Sequence, residues 1–311
     1  MTRRTNLALG VVLGVATATG VLALLVGEGR AAVVVWAHGA AGLAVLALVR
    51  PKSRIAVRGA ARRGSTATPG LVLGGLVAAS MGLGVAHATG AGTLGPLTAL
   101  GWHIGLALAA IPVAAAHVWR RPPRPRSGDL TRATFLRAAG VAAAGVAAKV
   151  VFEQLAGAPR AATGSLPRPA PVPTAWLDDT TPSHVRTPFT AERLAALPQT
   201  AVECTLDCTS GWYSRSRWSG VALTELLGRL PAGTRSIEVR SATGYSRRFG
   251  ASDIDGVVLA THLDGVPLPP EHGAPARLVA PGRRGYWWVK WVTAVEPSSV
   301  PAWLQSPFPL T

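Results

Sequence analysis

Five apolar runs, each about as long as a membrane is thick, most constrain how this chain can fold. The hydrocarbon core of a bilayer is about 30 Å thick, and a helix needs about 20 residues to cross it. Unpaired backbone groups are very costly in lipid, so these runs must be helical, and their many alanines and glycines favour close helix packing. We predict a bundle of five membrane spans: Asn6–Gly27, Ala31–Val49, Gly70–Gly90, Leu97–Trp119 and Phe135–Leu155.

The basic residues between these runs predict the orientation of the bundle, because cytoplasmic loops retain Lys and Arg. They cluster before the first run and in the second and fourth loops, whereas the other two loops carry only Arg30. We therefore predict a multi-pass protein of the cell membrane with a cytoplasmic N-terminus and an extracytoplasmic segment after about Gly157. The residues of the basic clusters are Arg3, Arg4, Lys52, Arg54, Arg58, Arg62, Arg63, Arg120, Arg121, Arg124, Arg126, Arg132 and Arg137.

The net charge of +16 and the two cysteines limit the function classes further. A charge this basic would suit nucleic acid, but the clusters are short, lie between apolar runs and contain no interleaved aromatic residues. We therefore expect membrane lipid around the chain and no nucleic-acid partner. Cys204 and Cys208 lie four residues apart on one predicted strand, which places them beyond disulfide reach.

Histidines within the predicted spans are functional candidates, because ionisable residues are rare at such depth. His103 and His117 are 14 residues apart on one helix, about 21 Å along its axis and near one face. This spacing resembles the histidine pairs of cytochrome b membrane helices. His38, His87 and His103 all fall in the outer half of the bundle. We predict a b-type haem between His38 and His103, with His87 in place of one of them as the alternative.

His117 lies near the cytoplasmic end of its span, where no second inner histidine is available to pair with it. It either binds a second haem together with another ligand or caps its helix. A different reading of all four histidines is that they only form hydrogen bonds between helices. With haem bound, the bundle would conduct electrons; without it, the bundle would be an anchor.

The second half of the chain differs in composition and predicts a separate folded domain. We expect the bundle at residues 1–157, a Pro-rich linker at 158–175, a folded domain at 176–301 and a tail at 302–311. The pattern is mixed α+β, with a mixed sheet and no βαβ repeat. Predicted strands are Ala201–Leu206, Ser236–Arg240, Val257–Thr261, Ala276–Ala280 and Trp287–Val292, and predicted helices are Ala191–Ala196 and Ala222–Arg229.

Several ordered motifs in this domain carry a family resemblance. Together they resemble the molybdopterin-binding domain of the sulfite oxidase family over about 125 residues. The motifs are Thr205-Leu-Asp-Cys208-Thr-Ser-Gly-Trp212, Trp218-Ser-Gly-Val221, Thr243-Gly-Tyr245, Leu263-Asp-Gly265-Val-Pro-Leu268, His272-Gly-Ala-Pro275-Ala-Arg277-Leu-Val-Ala-Pro281, Gly285-Tyr286 and Val289-Lys290-Trp291.

The resemblance implies a molybdenum ion held by a pterin dithiolene and one cysteine, and Cys208 falls on the ligand position. A thiolate is a soft, anionic ligand suited to a metal that changes oxidation state. The resemblance also makes His272, Arg277 and Lys290 donors to the pterin and its phosphate. Cys204 is expected in the core. Looser cofactor candidates, equally explained as exposed loop charge, are Arg283 and Arg284.

The chain departs from the family pattern after the ligand cysteine. Family members that oxidise sulfite have an asparagine and paired arginines there, whereas this chain has Thr-Ser-Gly-Trp, and its next cations are Arg215 and Arg217. The resemblance therefore does not imply a pocket for an anionic substrate. Trp212 and Tyr245 are candidates to shape whatever pocket is present.

These features predict a membrane-anchored molybdenum enzyme that transfers an oxygen atom to or from a small substrate outside the cytoplasm. Electrons would pass through the haem bundle to or from quinone or another redox partner. The alternative is a membrane-anchored binding module that keeps the fold without the cofactor.

Overall fold

The computed structural model describes residues 2–27, 30–63, 68–95, 97–120, 126–129, 131–156, 160–167 and 181–306. The chain forms two compact units, one of residues 1–24 and 29–166 and the other of residues 25–28 and 167–311. Several sequence predictions lie outside the described residues. They are the domain start at Trp176, most of the linker at 158–175, Arg121 and Arg124, and the end of the tail at 302–311.

The N-terminal unit is helical, as the apolar runs predicted. Among its described residues, five helices are long and apolar enough to cross a membrane. Most of their ends lie a few residues from the predicted ones, because backbone hydrogen bonding continues into flanking polar residues. The helices are α1 (Thr2–Leu25), α2 (Ala31–Arg63), α3 (Thr68–Ala88), α4 (Ala99–Arg120) and α5 (Arg132–Ala156).

The second helix differs most from its predicted span, because it ends at Arg63 rather than Val49. The prediction of a basic loop directly after Val49 was therefore wrong. Lys52, Arg54 and Arg58 belong to a polar extension of the helix. Lysine, arginine and alanine are good helix formers, so the helix continues after the chain has become too polar for lipid.

Close packing of small residues joins the helices in pairs. In the N-terminal unit α3 packs along α4, and α2 packs along α5. At the second crossing, a Cβ added to Gly145 would lie only 2.8 Å from the Cβ of Ala44. A larger side chain at Gly145 would force the two helices apart, which is why small residues are favoured at membrane helix crossings.

Polar contacts identify the two ends of this bundle. At one end Lys52 Nζ donates to Asn6 Oδ1 at 3.0 Å, and Arg3 Nη2 lies 2.5 Å from Asp129 Oδ1. At the other end Trp36 Nε1 donates to Glu153 Oε2 at 3.2 Å. The N-terminus, the basic extension of α2 and the segment before α5 thus lie at the same end of the bundle.

The C-terminal unit is built from antiparallel strands and short helices. Three short strands come earlier in the chain. The strands β1 (Thr93–Leu94) and β2 (Leu97–Thr98) form an antiparallel pair between α3 and α4, and β3 (Leu166–Pro167) follows α5. The elements of the C-terminal unit are α6 (Ala191–Ala195), β4 (Gln199–Asp207), β5 (Trp212–Ala222), α7 (Leu223–Leu227), β6 (Ser236–Ser241), β7 (Ser246–Gly250), β8 (Val258–Leu263), β9 (Val266–Pro267), β10 (Arg277–Val279) and β11 (Val292–Ser298).

Two sheets form the described part of this unit. In one, β5 pairs with β4 and β8, and β8 also pairs with β9 and β10; in the other, β6 pairs with β7 and β11. All these pairs are antiparallel, whereas the sequence predicted a mixed sheet. The described residues also include an isolated parallel bridge between Asp207 and Arg284. Side chains of both sheets, including Trp218, Ile237 and Leu259, join one buried core.

Three strands of these two sheets were not predicted, and one predicted strand was wrong. No strand was predicted at Trp212–Ala222, Ser246–Gly250 or Val266–Pro267. The predicted strand Trp287–Val292 instead begins within a 3-10 turn, Gly285–Trp287, and the ladder starts only at Val292. Its apolar residues are buried because they pack into the core, with Val289 only 1% exposed, and not because they pair in a sheet.

Candidate functional site

Cys208 occupies a tight turn between β4 and β5. Its N–H donates to the carbonyl of Trp212 at 2.8 Å, and its carbonyl accepts from the N–H of Gly211 at 3.1 Å. Gly211 has a φ of +91°, a conformation that glycine adopts without steric cost. The Cys208 Sγ lies 3.1 Å from Ser210 Oγ, and the cysteine is half-buried. The thiol is thus held in a defined turn, whereas Cys204 lies within β4 and packs against the core.

A buried ion pair joins the base of this turn to a distant segment. Arg284 Nη1 donates to Asp207 Oδ1 at 2.6 Å, and both side chains are 3% exposed. The reading of Arg284 as exposed loop charge was therefore wrong. Arg283 does fit that reading, since its side chain is 41% exposed and pairs with Asp253 at 3.2 Å.

A small cavity lies beside the Cys208 turn. It is lined by Leu206, Trp212, Ser214, Ser216, Trp218, Leu263 and His272. In the part of the chain that the structure describes, Ser214 Oγ, Ser216 Oγ and Trp218 Nε1 are buried without a hydrogen-bond partner. Buried polar groups are nearly always hydrogen-bonded, so three such atoms in one cavity wall fit a polar ligand. The cavity is only about 10 Å³, roughly the space of one water molecule.

The predicted donors His272, Arg277 and Lys290 lie close together in the fold, and His272 lines this cavity. Gly273 lies between two of them, since a Cβ added there would lie 3.0 Å from Lys290 Cβ and 3.2 Å from Arg277 Cβ. Arg277 Nη1 donates to the carbonyl of His272 at 3.1 Å, and both residues are buried. Lys290 Nζ is 3.4 Å from the carbonyl of Glu271. Two buried or half-buried cations and a histidine therefore lie together, an arrangement that suits an anion.

Aromatic rings hold the Arg277 guanidinium in place. Its Cζ lies 5.3 Å from the ring centroid of Trp218 and 5.7 Å from that of Trp288. The two indoles contact each other edge to face at 5.5 Å. A bound pterin would have to displace or separate these side chains, because the cavity has space for only about one water.

The opposite face of β5 carries the two arginines closest to Cys208 in sequence. Arg215 and Arg217 are exposed, and Arg215 Nε pairs with Glu203 Oε1 at 2.8 Å. Side chains alternate between the two faces of a strand, so Ser214 and Ser216 line the cavity while these arginines point away. Arg215 and Arg217 thus do not line the cavity. This agrees with the sequence, which lacks the paired arginines that sulfite-oxidising family members have after the ligand cysteine.

Tyr245 and Trp212 lie in different surroundings. Trp212 lines the cavity, but Tyr245 belongs to a cluster around the buried Arg247. Arg247 Nε donates to the Tyr245 hydroxyl at 2.6 Å, and that hydroxyl donates to the carbonyl of Tyr286 at 2.5 Å. Burial raises the pKa of the Tyr245 phenol above its ordinary value. Tyr245 therefore supports the fold around the site and does not line the cavity.

In the N-terminal unit, the structure brings His38 of α2 and His103 of α4 together. Their ring centroids are 5.8 Å apart, with the ring planes inclined by 73°. His38 Nδ1 lies 2.8 Å from the carbonyl of Ala16, and His103 Nδ1 lies 2.7 Å from the carbonyl of Ser80. A histidine whose Nδ1–H donates to a carbonyl keeps Nε2 as the nitrogen that can bind a metal.

Glycines make room for these histidines. A Cβ added to Gly20 would lie 3.0 Å from the ring of His38, and one added to Gly84 would lie 3.0 Å from the ring of His103. His117 lies similarly against Gly70, at 3.3 Å. His87 is at the end of α3, where its carbonyl accepts from Arg160 Nη2 at 3.3 Å. The described geometry thus favours His38 with His103 over the pairings that include His87.

Sequence reasoning gave no site role to Ser214, Ser216 or Trp218, although Trp218 belongs to one of the family motifs. It also missed the pairing of Asp207 with Arg284. The first three had a readable signal, because residues 212–218 alternate Trp, Tyr, Ser, Arg, Ser, Arg, Trp. A period of two places Trp and Ser on one face and Tyr and Arg on the other. The ion pair had no such signal, since its residues are 77 positions apart.

The comparisons with known proteins concern the C-terminal half. Residues 177–303 match the oxidoreductase molybdopterin binding domain. This half therefore contains a sulfite oxidase-like molybdopterin-binding domain, as the motifs predicted. The match supports an oxidoreductase and a molybdenum cofactor; it does not extend to the helical bundle.

Relatives share only part of their length with this chain. The mitochondrial sulfite oxidase of Macaca fascicularis is 33% identical over 107 residues, covering 29% of this chain and 19% of that enzyme. The NADPH nitrate reductase of Fusarium oxysporum is 30% identical over 100 residues, covering 29% and 11%. The solved sulfane dehydrogenase SoxCD of Paracoccus pantotrophus is 28% identical, with 37% and 36% of the two chains covered and a TM-score of 0.34. The chain spans about a tenth to a fifth of the length of the curated relatives.

Proposed function

We propose that the protein is a membrane-anchored molybdenum oxidoreductase that exchanges an oxygen atom with a small substrate outside the cytoplasm. The observation that carries this proposal is the Cys208 turn beside a cavity lined by His272, with Arg277 and Lys290 packed around the neighbouring Gly273, within a molybdopterin-binding domain. When bound, the molybdenum cofactor would supply two-electron oxygen-atom chemistry. The protein would supply ligation, orientation and access.

The residues of this chain have distinct roles in the proposal. Cys208 provides the thiolate ligand to molybdenum. Arg277 and Lys290 neutralise the pterin phosphate, and His272 donates a hydrogen bond to the cofactor. Ser214 and Ser216, together with the Trp218 indole, would gain the partners that they lack in the described structure.

Replacing the two cavity serines by alanine should weaken cofactor binding without destabilising the cofactor-free protein. The double variant Ser214→Ala/Ser216→Ala should weaken molybdopterin binding by roughly 30-fold, since each of the two lost hydrogen bonds contributes about 1 kcal/mol. Without cofactor, the variant should be as stable as the parent or more stable, because two buried unpaired hydroxyls are removed. Cofactor content after gel filtration and the thermal midpoint of cofactor-free protein would check both parts. Ser219→Ala, on the other face of the strand, is the matched control; equal retention in both variants would contradict the assignment.

A b-type haem in the bundle completes the proposal, and His38 and His103 would hold its iron. Bonds between a metal and an imidazole nitrogen are about 2 Å long, so two rings that share one iron lie about as far apart as these rings do. Each ring is also held through Nδ1 by a backbone carbonyl, the outer interaction typical of metal-binding histidines. Gly20 and Gly84 leave the rings free of crowding.

The arrangement of charges supports a membrane location and one orientation of the helical bundle across the membrane. The five helices are long enough to span a bilayer, and the basic residues of α1 and α2 lie at the same end of the bundle as Asp129. Because cytoplasmic ends retain Lys and Arg, we assign that end to the cytoplasm. Electrons would then pass between the outer haem and a quinone or another membrane redox partner.

Two measurements on detergent-solubilised protein test the proposal. Metal and pterin analysis should find molybdenum with molybdopterin, and an optical spectrum should contain the Soret and α bands of a b-type haem. Molybdenum-free protein purified from cells that make the cofactor would leave only a binding module. Absence of the haem bands would remove the electron pathway. Reoxidation of the reduced haem by sulfoxides, N-oxides or sulfite would then identify substrate class and direction.

A further inference from the structure

The buried contact between Asp207 and Arg284 lies directly at the candidate metal ligand. Asp207 is the residue before Cys208, and Arg284 Nη1 donates to its carboxylate at 2.6 Å. Another nitrogen of the same guanidinium, Nη2, lies 3.4 Å from the carbonyl of Cys208. One side chain therefore contacts both the residue before the cysteine and the cysteine itself.

The backbone of the arginine segment approaches just as closely. Asp207 and Arg284 form an isolated parallel bridge. A Cβ added to Gly285 would lie 3.1 Å from the Asp207 carbonyl oxygen and 3.2 Å from Cys208 Cα. A side chain at position 285 would thus push the segment away from the turn. Segment 284–285 covers one side of the turn, whose other end is closed by the bonds of Cys208 to Gly211 and Trp212.

The cost of burying this pair makes a contribution to stability alone a poor explanation for it. Removing two charges from water is expensive, and well-packed apolar residues of similar size often stabilise a protein as well or better. A buried pair does fix geometry, because the planar guanidinium holds its hydrogen-bond acceptors in a defined orientation. Here those acceptors are the groups that determine where Cys208 lies.

We propose that Asp207 and Arg284 form a clamp that positions Cys208 for metal ligation. Both are positioning residues, since they act through the cysteine. The clamp rests on the proposed function in one respect, namely that Cys208 is the molybdenum ligand. Its mechanical part, the holding of the turn, applies with or without the cofactor.

Four variants in the full-length chain test the clamp. Arg284→Gln and Asp207→Asn each leave one buried charge without its partner, whereas the double variant replaces the ion pair by a neutral Gln–Asn contact. Arg283→Gln is the matched control, because it removes the same charge from the neighbouring residue, whose side chain is 41% exposed. The first readout is the alkylation rate of Cys208 by iodoacetamide in cofactor-free protein, measured by peptide mass spectrometry with Cys204 as internal reference.

Each single variant should speed alkylation of Cys208 by about tenfold or more relative to Cys204, because the turn opens more often without the clamp. The double variant should return the rate toward that of the parent, since paired groups couple in a double-mutant cycle. In cofactor-loaded protein, the single variants should also shift the g-values of the Mo(V) electron paramagnetic resonance spectrum. Arg283→Gln should change neither readout.

Two outcomes would overturn the clamp. They are an Arg284→Gln variant that matches Arg283→Gln in both readouts, and single and double variants with the same alkylation rate. Wild-type protein that carries no molybdenum would instead overturn the proposed function, while the alkylation rates would still decide the clamp.

Discussion

Replacing Cys208 by serine should abolish molybdenum-dependent turnover. A hydroxyl of similar size cannot provide the soft thiolate that the proposed metal requires. Even residues that only support metal ligands typically cost about 10- to 100-fold when changed, so loss of the ligand should cost more than about 100-fold. Turnover with the substrate found by haem reoxidation, together with molybdenum content and the Mo(V) resonance spectrum, would measure the effect.

Cys204→Ser is the matched control for this prediction. Cys204 lies four residues earlier on β4 and packs against the core, so its replacement should affect stability and leave turnover near that of the parent. Because Cys208 is half-buried in a turn, serine there should leave the thermal midpoint of the cofactor-free domain nearly unchanged. Full turnover in Cys208→Ser, or a loss confined to Cys204→Ser, would refute the ligand assignment.

Replacing either His38 or His103 by alanine should remove the b-type haem spectrum from the bundle. In the proposed haem site each would provide one of the two ligands to the iron, so the loss of one should lower haem affinity by at least about 10- to 100-fold. The Soret and α bands of the reduced, solubilised protein would measure retention, and a pyridine haemochrome assay would count the haem. Molybdenum content should remain unchanged, so the two cofactors can be separated experimentally.

The remaining bundle histidines are the controls and also decide the alternatives. His87→Ala should retain the spectrum, because His87 lies at the end of α3, whereas the rings of His38 and His103 contact each other. Loss of haem in His87→Ala but not in His38→Ala would support the alternative ligand pair. A halved haem content in His117→Ala would indicate a second haem at the opposite end. Full haem retention in both His38→Ala and His103→Ala would contradict the proposed site.

The helices of the N-terminal unit could be predicted from apolar length alone, but their ends could not. Unsatisfied backbone groups are so costly in lipid that any long apolar run must be helical. That constraint ends where the apolar run ends, so it gave no information about the continuation of α2 to Arg63. The bounds of that helix depend on the helix propensity of basic residues and alanine in water.

The family motifs identified Cys208, His272, Arg277 and Lys290, and the structure brings the last three together around Gly273. Strand assignment was weaker in the same region. Trp212–Ala222 was overlooked as a strand although its residues alternate, and Trp287–Val292 was taken for a strand because it is apolar and aromatic. Burial of the second segment comes from packing against the core, which produces the same composition as a buried strand.

The sequence by itself determined the five helices and the class of the C-terminal domain, and it supplied the side chains proposed as metal ligands. These depend on local composition and on ordered motifs, which a single chain displays directly. Only the tertiary structure decided which histidine lies next to His103, that Arg284 is buried against Asp207, and that Ser214 and Ser216 line a cavity. Such pairings join residues far apart in the chain. Their energies depend on burial in the folded protein, which cannot be predicted from the local sequence pattern.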